Sequence, residues 1–329
     1  MLRVERRIDE TIQSRWLSIL MAMLSVVATL VAAGAGDVVA IPGMRGLGLT
    51  SANHWIDSDS TSLYTALAVY LPTALAIVVI NRYYNLLHTL SLICGSFFLW
   101  MLGACPMAMG QFYGGTVLLV VLLAAMALLF SVFDEPAMTP RVFMAFFLIG
   151  VGALTDYGFL AYLPIMIVGC GQMRVFNFRT MLAALTGLLT PLWMAWGFGL
   201  IDFSHFEAPV FDNIFETFTP GRMVWFLSLV GFTAALLVTL IVVNLIRIYS
   251  YNLITRARNG ILILASITTA LMMVLDYTNL PFYYPTLCCC TAFQLGHFAH
   301  FHIGRRSGYI VPAAAIIIYA GFYLWRLII

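Results

Sequence analysis

Residues 141–179 read RVFMAFFLIGVGALTDYGFLAYLPIMIVGCGQMRVFNFR, and their pattern of apolar and charged residues indicates the class of protein. Two apolar runs meet at the polar corner Asp156, and Arg141, Arg174 and Arg179 stand at the far ends of those runs. A helix needs about 20 mostly apolar residues to cross a hydrocarbon core of roughly 30 Å. Arginine is retained in cytoplasmic loops, so its position reports orientation. The pattern predicts two membrane helices that start and finish at the cytoplasmic side and turn at an outer corner.

The same pattern repeats along the whole chain. Hydrophobic residues make up 62% of the sequence and charged residues 9%, against roughly 25% charged residues in soluble domains. This composition predicts an integral membrane protein of the all-α class, a polytopic bundle of about 11 transmembrane spans. The candidate spans are 16–34, 62–80, 86–105, 114–133, 142–155, 158–172, 180–201, 223–246, 259–275, 281–302 and 309–325.

The charges alternate between the gaps that separate these spans. All 16 basic residues are arginine, and only Arg45, Arg222 and Arg326 fall in the gaps assigned to the outside. Most acids lie on that outer side. The bias predicts a single membrane domain, 1–329, with a cytoplasmic N-terminal segment 1–15, outer loops at 35–61 and 202–222, and the C-terminus outside.

The span 142–155 is short, because its 14 residues give roughly 21 Å of helix. Together with 158–172 it either crosses a locally thinned bilayer or forms a re-entrant hairpin shielded by other helices. Both alternatives place Asp156 at a corner that need not reach bulk water.

Several functional classes are disfavoured. A net charge of +2 with dispersed arginines argues against nucleic-acid binding. Ionisable residues are nearly absent within the spans, where they would mark an ion pathway, so a proton- or sodium-coupled transporter is disfavoured and a flippase or facilitator is not. Near the inner end of the tenth span, His297 and His300 share a helical face but His302 does not, which predicts hydrogen-bonded histidines and no metal site.

The first outer loop carries the strongest candidates for chemistry. His54 and Asp57 would share a face if they lay on one helical turn, and Asp59 is close by. A carboxylate beside an imidazole can act as a general base, and two carboxylates can bind a divalent cation. The alternative is a hydrated loop with ordinary acids, followed by a helix start at 58–61.

The second outer loop, 202–222, has apolar residues at helical spacing with acids on the other face. It predicts a short helix in the outer interface, which is either a lid over a lateral opening or a linker that seals the bundle.

The stretch 143–193 resembles a recurrent segment of polytopic glycosyltransferases of the GT-C type, and also a family of bacterial polytopic membrane proteins with the same hairpin. The resembling features are the short helix with Gly150 and Gly152, the corner at 155–157, the pair at 163–164 and the LTPLW motif that ends at Trp193. GT-C enzymes transfer a sugar from a polyprenyl-phosphate carrier at the outer membrane face. By position, the resemblance implies Asp57 or Asp59 as the catalytic acid and a bacterial inner membrane location.

These observations lead to one hypothesis and two alternatives. The leading hypothesis is transfer or handling of a lipid-linked sugar at the outer face, with membrane lipid and a polyprenyl-phosphate-linked sugar as partners. Catalysis would use Asp57 or Asp59 with His54, and Arg45, Arg222, Arg326 and Asp156 would bind substrate. The acidic outer face would need a divalent cation, or one of the three arginines, to hold the phosphate. The alternatives are a lipid or small-molecule translocator without ion coupling, and a non-catalytic subunit of an envelope assembly.

Overall fold

The computed structural model describes residues 14–36, 38–41, 46–86, 91–201, 219–301 and 306–328. Across these ranges the chain forms twelve α-helices and several short 3₁₀ turns, and no strand. The helices are α1 (Arg15–Gly34), α2 (Asp59–Tyr83), α3 (Ser91–Gly103), α4 (Pro106–Met109), α5 (Gly114–Phe130), α6 (Thr139–Thr155), α7 (Leu163–Gln172), α8 (Phe178–Gly197), α9 (Pro220–Arg247), α10 (Leu253–Leu275), α11 (Leu280–Phe301) and α12 (Arg306–Arg326).

Five of these helices, α1, α2, α8, α9 and α10, are long and apolar enough to cross a membrane. This is consistent with an integral membrane protein. Each of the eleven apolar stretches of the sequence contains a helix, so the predicted helical class is confirmed. In the corner segment, α6 has 17 residues and leads through the 3₁₀ turn Tyr157–Tyr162 into the 10-residue α7.

Short polar side chains set the beginnings of three long helices. Ser14 accepts a hydrogen bond from the Leu17 amide at the start of α1. Asn177 and Asn252 do the same for α8 and α10. Each oxygen satisfies one of the amide groups that a helix leaves without an internal partner. These starts lie at the end of the bundle that also carries Arg82, Arg141, Arg174, Arg179 and Arg258, called here the arginine-rich end.

Helix α11 is the centre of the core. It packs against α3, α5, α9 and α10, and nearly every described residue along it is buried. Helix α8, in contrast, packs chiefly on α6. Close approach of these two helices depends on small residues, since a Cβ at Gly187 would collide with the Phe143 carbonyl and one at Gly150 would lie 2.7 Å from the Leu188 carbonyl.

Arg258 ties helices together at the arginine-rich end. Its guanidinium donates to the carbonyl oxygens of Tyr84 at 2.9 Å and of Phe130 at 3.0 Å, and it lies 4.8 Å from the centre of the Tyr84 ring. These carbonyls close α2 and α5, where the helix dipole is negative. An arginine that the charge pattern assigns to a cytoplasmic gap therefore also stabilises the packing of three helices.

Candidate functional site

The first loop is held against the end of α6. The amides of Leu47 and Leu49 donate to the carbonyls of Ala153 at 3.1 Å and Leu154 at 3.0 Å. The loop backbone thereby satisfies carbonyls that the end of a helix leaves without internal partners. This brings the following residues of the loop to the corner at Asp156.

Ser51 and Asn53 connect the loop to the corner and to α5. The Ser51 hydroxyl donates to Oδ1 of Asp156 at 3.1 Å. The Asn53 side chain accepts from the Gly114 amide at 2.9 Å and donates to the Ile41 carbonyl at 2.7 Å. Asp156 is fully buried, and its second oxygen, Oδ2, has no hydrogen-bond partner among the described residues. The corner therefore holds a buried carboxyl group that the loop contacts through Oδ1.

A second carboxyl group lies in the same region. Asp276 ends α10, is buried, and accepts a hydrogen bond from the Tyr283 hydroxyl at 3.1 Å. Burial raises the pKa of Asp156 to about 7, opposed by hydrogen bonds from Ser51 and Thr155. Burial also raises the pKa of Asp276, opposed mainly by the Tyr283 hydroxyl. The region that contains Asp156 and Asp276, together with the first loop that contacts it through Ser51, is called here the acidic end.

From the acidic end, a series of polar side chains continues through the core to the arginine-rich end. It lies mainly between α10 and α11 and is called here the polar seam. Its members are Asp156, Tyr162, Asn244, Tyr251, Asn259, Ser266, Thr269, Asp276, Tyr283, Cys290, Gln294 and His297. All are buried except Tyr251, which is partly buried.

The seam follows one face of each helix. On α10 its members are Asn259, Ser266, Thr269 and Asp276, spaced by seven, three and seven residues. On α11, 283, 290, 294 and 297 lie within about 60° of one another at 100° per residue. From 259 to 276 the axial distance is about 25 Å, compared with a hydrocarbon core of roughly 30 Å. The seam thus has nearly the length of a membrane crossing.

Hydroxyl groups occupy the middle of the seam. The Tyr162 and Thr269 hydroxyls are 3.0 Å apart. The Cys290 thiol lies beside Ser266 and Thr269. These groups link the tyrosines near the acidic end to the side-chain amides further along.

Side-chain amides form the next part. Asn244 and Asn259 donate to each other at 3.1 and 3.0 Å. Asn244 also donates to Gln294 Oε1 at 2.6 Å, and Gln294 donates to the Ser266 hydroxyl at 3.4 Å. Three helices contribute to this cluster, and none of its members carries a charge.

His297 closes the seam at the arginine-rich end. Its Nδ1 atom is 2.6 Å from the Tyr251 hydroxyl, so the predicted hydrogen-bonded histidine is found here. His297 is fully buried. Within the described ranges, no three His, Cys, Asp or Glu side chains come together as a metal site would require.

The predicted catalytic residues of the first loop do not lie among the buried side chains of the polar seam. His54, Asp57 and Asp59 are all exposed. The 3₁₀ turn Ala52–His54 ends before residues 56–58, which are not helical, so His54 and Asp57 do not share a helical turn. Ser58 precedes α2, which begins at Asp59, as the predicted helix start requires. Of the predicted acids, Asp156 is the one that contacts other polar groups of the seam region.

Of the three arginines predicted to bind phosphate, Arg222 and Arg326 lie within the described residues and Arg45 does not. Arg45 and the segment 202–218, with the predicted interfacial helix, lie outside the described residues, as do His302 and residues 1–13. Arg222 is in the first turn of α9 and Arg326 in the last turn of α12. The Trp225 indole donates to the Phe322 carbonyl at 3.2 Å, so these two arginines lie at the same end of adjacent helices.

Sequence reasoning did not single out Ser51, Asn53, Tyr283, Asn244 or Gln294 as parts of a site. A usable signal was present in α10, where polar residues recur at nearly heptad spacing inside an apolar stretch.

Comparisons of the chain with protein-family models, curated proteins and solved structures found no match.

Proposed function

We propose that this protein is a facilitator that lets a small uncharged molecule with several hydroxyl groups cross the membrane along the polar seam. The observation that supports the proposal is the alignment of buried polar side chains over about 25 Å of α10 and α11. Polar side chains are costly in a membrane interior and frequently mark a substrate path.

The chemistry of the seam favours an uncharged solute. Its central members are amides, hydroxyls and a thiol, which both donate and accept hydrogen bonds without carrying charge. An ion would leave its hydration shell without an opposite charge to replace it. Asp156 and Asp276 lie at the acidic entrance, where burial favours their neutral forms.

The seam is closed in this structure, since its amides and hydroxyls are paired with one another. Passage would require α10 to move away from α11, and the solute would replace these hydrogen bonds. The seam would then alternate between internal pairing and pairing with the solute. Differential affinity for the open form is what allows a solute to shift such an equilibrium.

The proposal includes the topology predicted from charge: eleven spans in a bacterial inner membrane, with the N-terminus in the cytoplasm and the C-terminus outside. Reporter fusions after each span test this orientation. Alkaline phosphatase should be active only when it is fused at an outer position, that is, at 35–61, 106–113, 156–157, 202–222, 276–280 or after 325. Green fluorescent protein should fluoresce only when it is fused in one of the other gaps. The reverse pattern would contradict the orientation.

The functional test uses proteoliposomes and stopped-flow light scattering with glycerol and sorbitol as probes. We expect vesicles with the protein to re-swell faster than empty vesicles, because the probes can enter along the seam. Thr269→Val should slow entry severalfold, since it removes a hydroxyl from the middle of the seam and keeps the side-chain volume.

Thr239→Val is the matched control, because Thr239 is an exposed α9 residue whose hydroxyl donates to the Ala235 carbonyl of its own helix. Entry equal to that of empty vesicles for both probes would reject the proposal. A Thr269→Val protein that folds less stably but transports normally would show that the seam only holds helices together, as interhelical hydrogen bonds commonly do.

Lipid-linked sugar transfer remains a second candidate, favoured by a specific observation. The loop anchored at Ser51 presents His54, Asp57 and Asp59 to solvent at one edge of the acidic end, where a polyprenyl-phosphate-linked sugar and a divalent cation could reach them. Asp57→Asn with Asp59→Asn should abolish sugar transfer from a polyprenyl-phosphate carrier while expression stays unchanged. Retained transfer would reject these acids as the catalytic site. If neither transport nor transfer is detected, a role as a non-catalytic subunit of an envelope assembly is favoured.

A further inference from the structure

A separate apolar groove lies on the side of the bundle, between α7 and α8. Its volume is about 370 Å³, within the range of roughly 300–1,000 Å³ found for small-molecule sites. The groove exists because α8 packs on α6 and not closely on α7. Aliphatic and aromatic side chains line it, among them Phe146, Ile167, Phe176, Phe178, Ala184 and Leu185.

The groove begins at the arginine-rich end. Arg179 stands between the lining residues Phe178 and Thr180, and Arg174 lies in the turn that joins α7 to α8. Both arginines are exposed. Among the described residues, neither side chain is held by an acidic partner. Two exposed guanidinium groups therefore flank the polar mouth of an apolar groove.

The backbone fixes the position of Arg174. Its φ is 61°, in the left-handed region that favours glycine. The Arg174 amide donates to the Gly171 carbonyl and the Val175 amide to the Cys170 carbonyl, which is the Schellman arrangement that closes a helix. The arginine is thus held at the mouth by a defined turn.

Nearby acids must be considered, since they oppose an anionic ligand. The Asp134 amide donates to the Met173 carbonyl at 2.9 Å, so Asp134 and Glu135 lie near the same turn, on the α5–α6 connection. Both are exposed. Arg179 follows the turn, at the start of α8, and its two chain neighbours line the groove. It is therefore the principal contact expected for an anion, with Arg174 as the second.

We infer that this groove binds an anionic phospholipid, with one acyl chain in the apolar cavity and the phosphate at Arg179 and Arg174. The lining excludes a polar ligand, and the open side of α8, with exposed Leu182 and Leu185, allows a chain to enter from the bilayer. A zwitterionic lipid would fill the same cavity but would gain less from the two arginines. The site is independent of the polar seam and of the proposed transport.

Native mass spectrometry of the delipidated full-length protein tests this inference, with dioleoyl phosphatidylglycerol and dioleoyl phosphatidylcholine added separately. We expect tighter binding of the phosphatidylglycerol. Arg174→Gln with Arg179→Gln should reduce its affinity by about 30-fold, from two basic contacts with an anionic lipid, and should leave phosphatidylcholine binding unchanged. Arg82→Gln with Arg256→Gln is the matched control at the same end of the bundle and should have little effect.

Ala184→Phe fills the cavity and should weaken both lipids, because the acyl chain loses its place. Circular dichroism verifies that each variant is folded. Equal binding of the two lipids by the unaltered protein would overturn the inference. An equal loss of phosphatidylglycerol affinity in the two pairs of arginine variants would also overturn it, because it would indicate an effect of general surface charge. Unchanged binding by a folded Ala184→Phe protein would do the same, because it would place the lipid outside the groove.

Discussion

Replacement of Asp156 by asparagine should change how the stability of the protein depends on pH. In the folded chain, burial raises the pKa of this carboxyl from 3.8 to about 7. Well below pH 4 the group is protonated in both the folded and unfolded states. As the pH rises towards 7, the unfolded chain releases the proton and the folded chain retains it, so the free energy of unfolding falls. Above about pH 7 the loss is constant.

The size of this effect follows from the shift. Each pKa unit corresponds to about 1.4 kcal/mol, so a shift of about three units gives a loss of about 4 kcal/mol at pH 8 relative to pH 4. Asparagine cannot ionise, and its side-chain oxygen can still accept the Ser51 hydrogen bond. The variant should therefore lack this part of the pH dependence and be more stable than the unaltered protein at pH 8.

The assay is equilibrium unfolding in mixed detergent micelles with increasing SDS, repeated from pH 4.5 to pH 8.5. The quantity of interest is the difference in unfolding free energy between Asp156→Asn and the unaltered protein at each pH. Asp57→Asn, at an exposed acid, is the control and should give nearly parallel curves. Parallel curves for Asp156→Asn as well, or a difference that shrinks with rising pH, would refute the assignment of Asp156 as a buried carboxyl that resists ionisation.

Three further predictions use the same unfolding assay at a single pH. Arg258→Gln removes charged hydrogen bonds to the carbonyls that close α2 and α5 and should cost about 2 kcal/mol; Arg256→Gln should cost much less, and equal losses would contradict the special role of Arg258. Gly114→Ala should cost about 1–3 kcal/mol, because its Cβ would lie 2.7 Å from Oδ2 of Asp156, and a neutral result would contradict that close contact. Asn244→Ala should cost about 1–3 kcal/mol by leaving buried amides unpaired, and a stabilised variant would contradict the amide cluster.

The helices were predictable because their signal is local. Length and hydropathy suffice to identify an apolar stretch that must satisfy its backbone hydrogen bonds internally. The corner at Asp156 was also predictable, since an acid interrupts two apolar runs. Boundaries differ by a few residues where caps decide them, as at Asn177 and Asn252.

The candidate site was less predictable because it depends on which helices are neighbours. Asn244 bonds to Gln294, which is 50 positions away, and nothing near either residue in the sequence indicates the pairing. The expected helical turn from His54 to Asp57 does not form, because contacts with other elements hold the loop: Ser51 with Asp156, and the Trp55 ring with Phe112 at 6.2 Å. Tertiary contacts of this kind override local helical spacing.

Accessibility of Cys290 tests the polar seam most directly. Cys290 and Cys94 are both buried free thiols, and Cys290 lies on the seam beside Ser266 and Thr269. Two forms of the protein, each keeping one of these cysteines and carrying alanine at the other five positions, would be treated in proteoliposomes with a water-soluble methanethiosulfonate reagent. If the seam opens to admit a polar solute, Cys290 should react faster than Cys94, and glycerol should slow its reaction. Equal rates for the two thiols, with no effect of glycerol, would contradict a solute path along the seam.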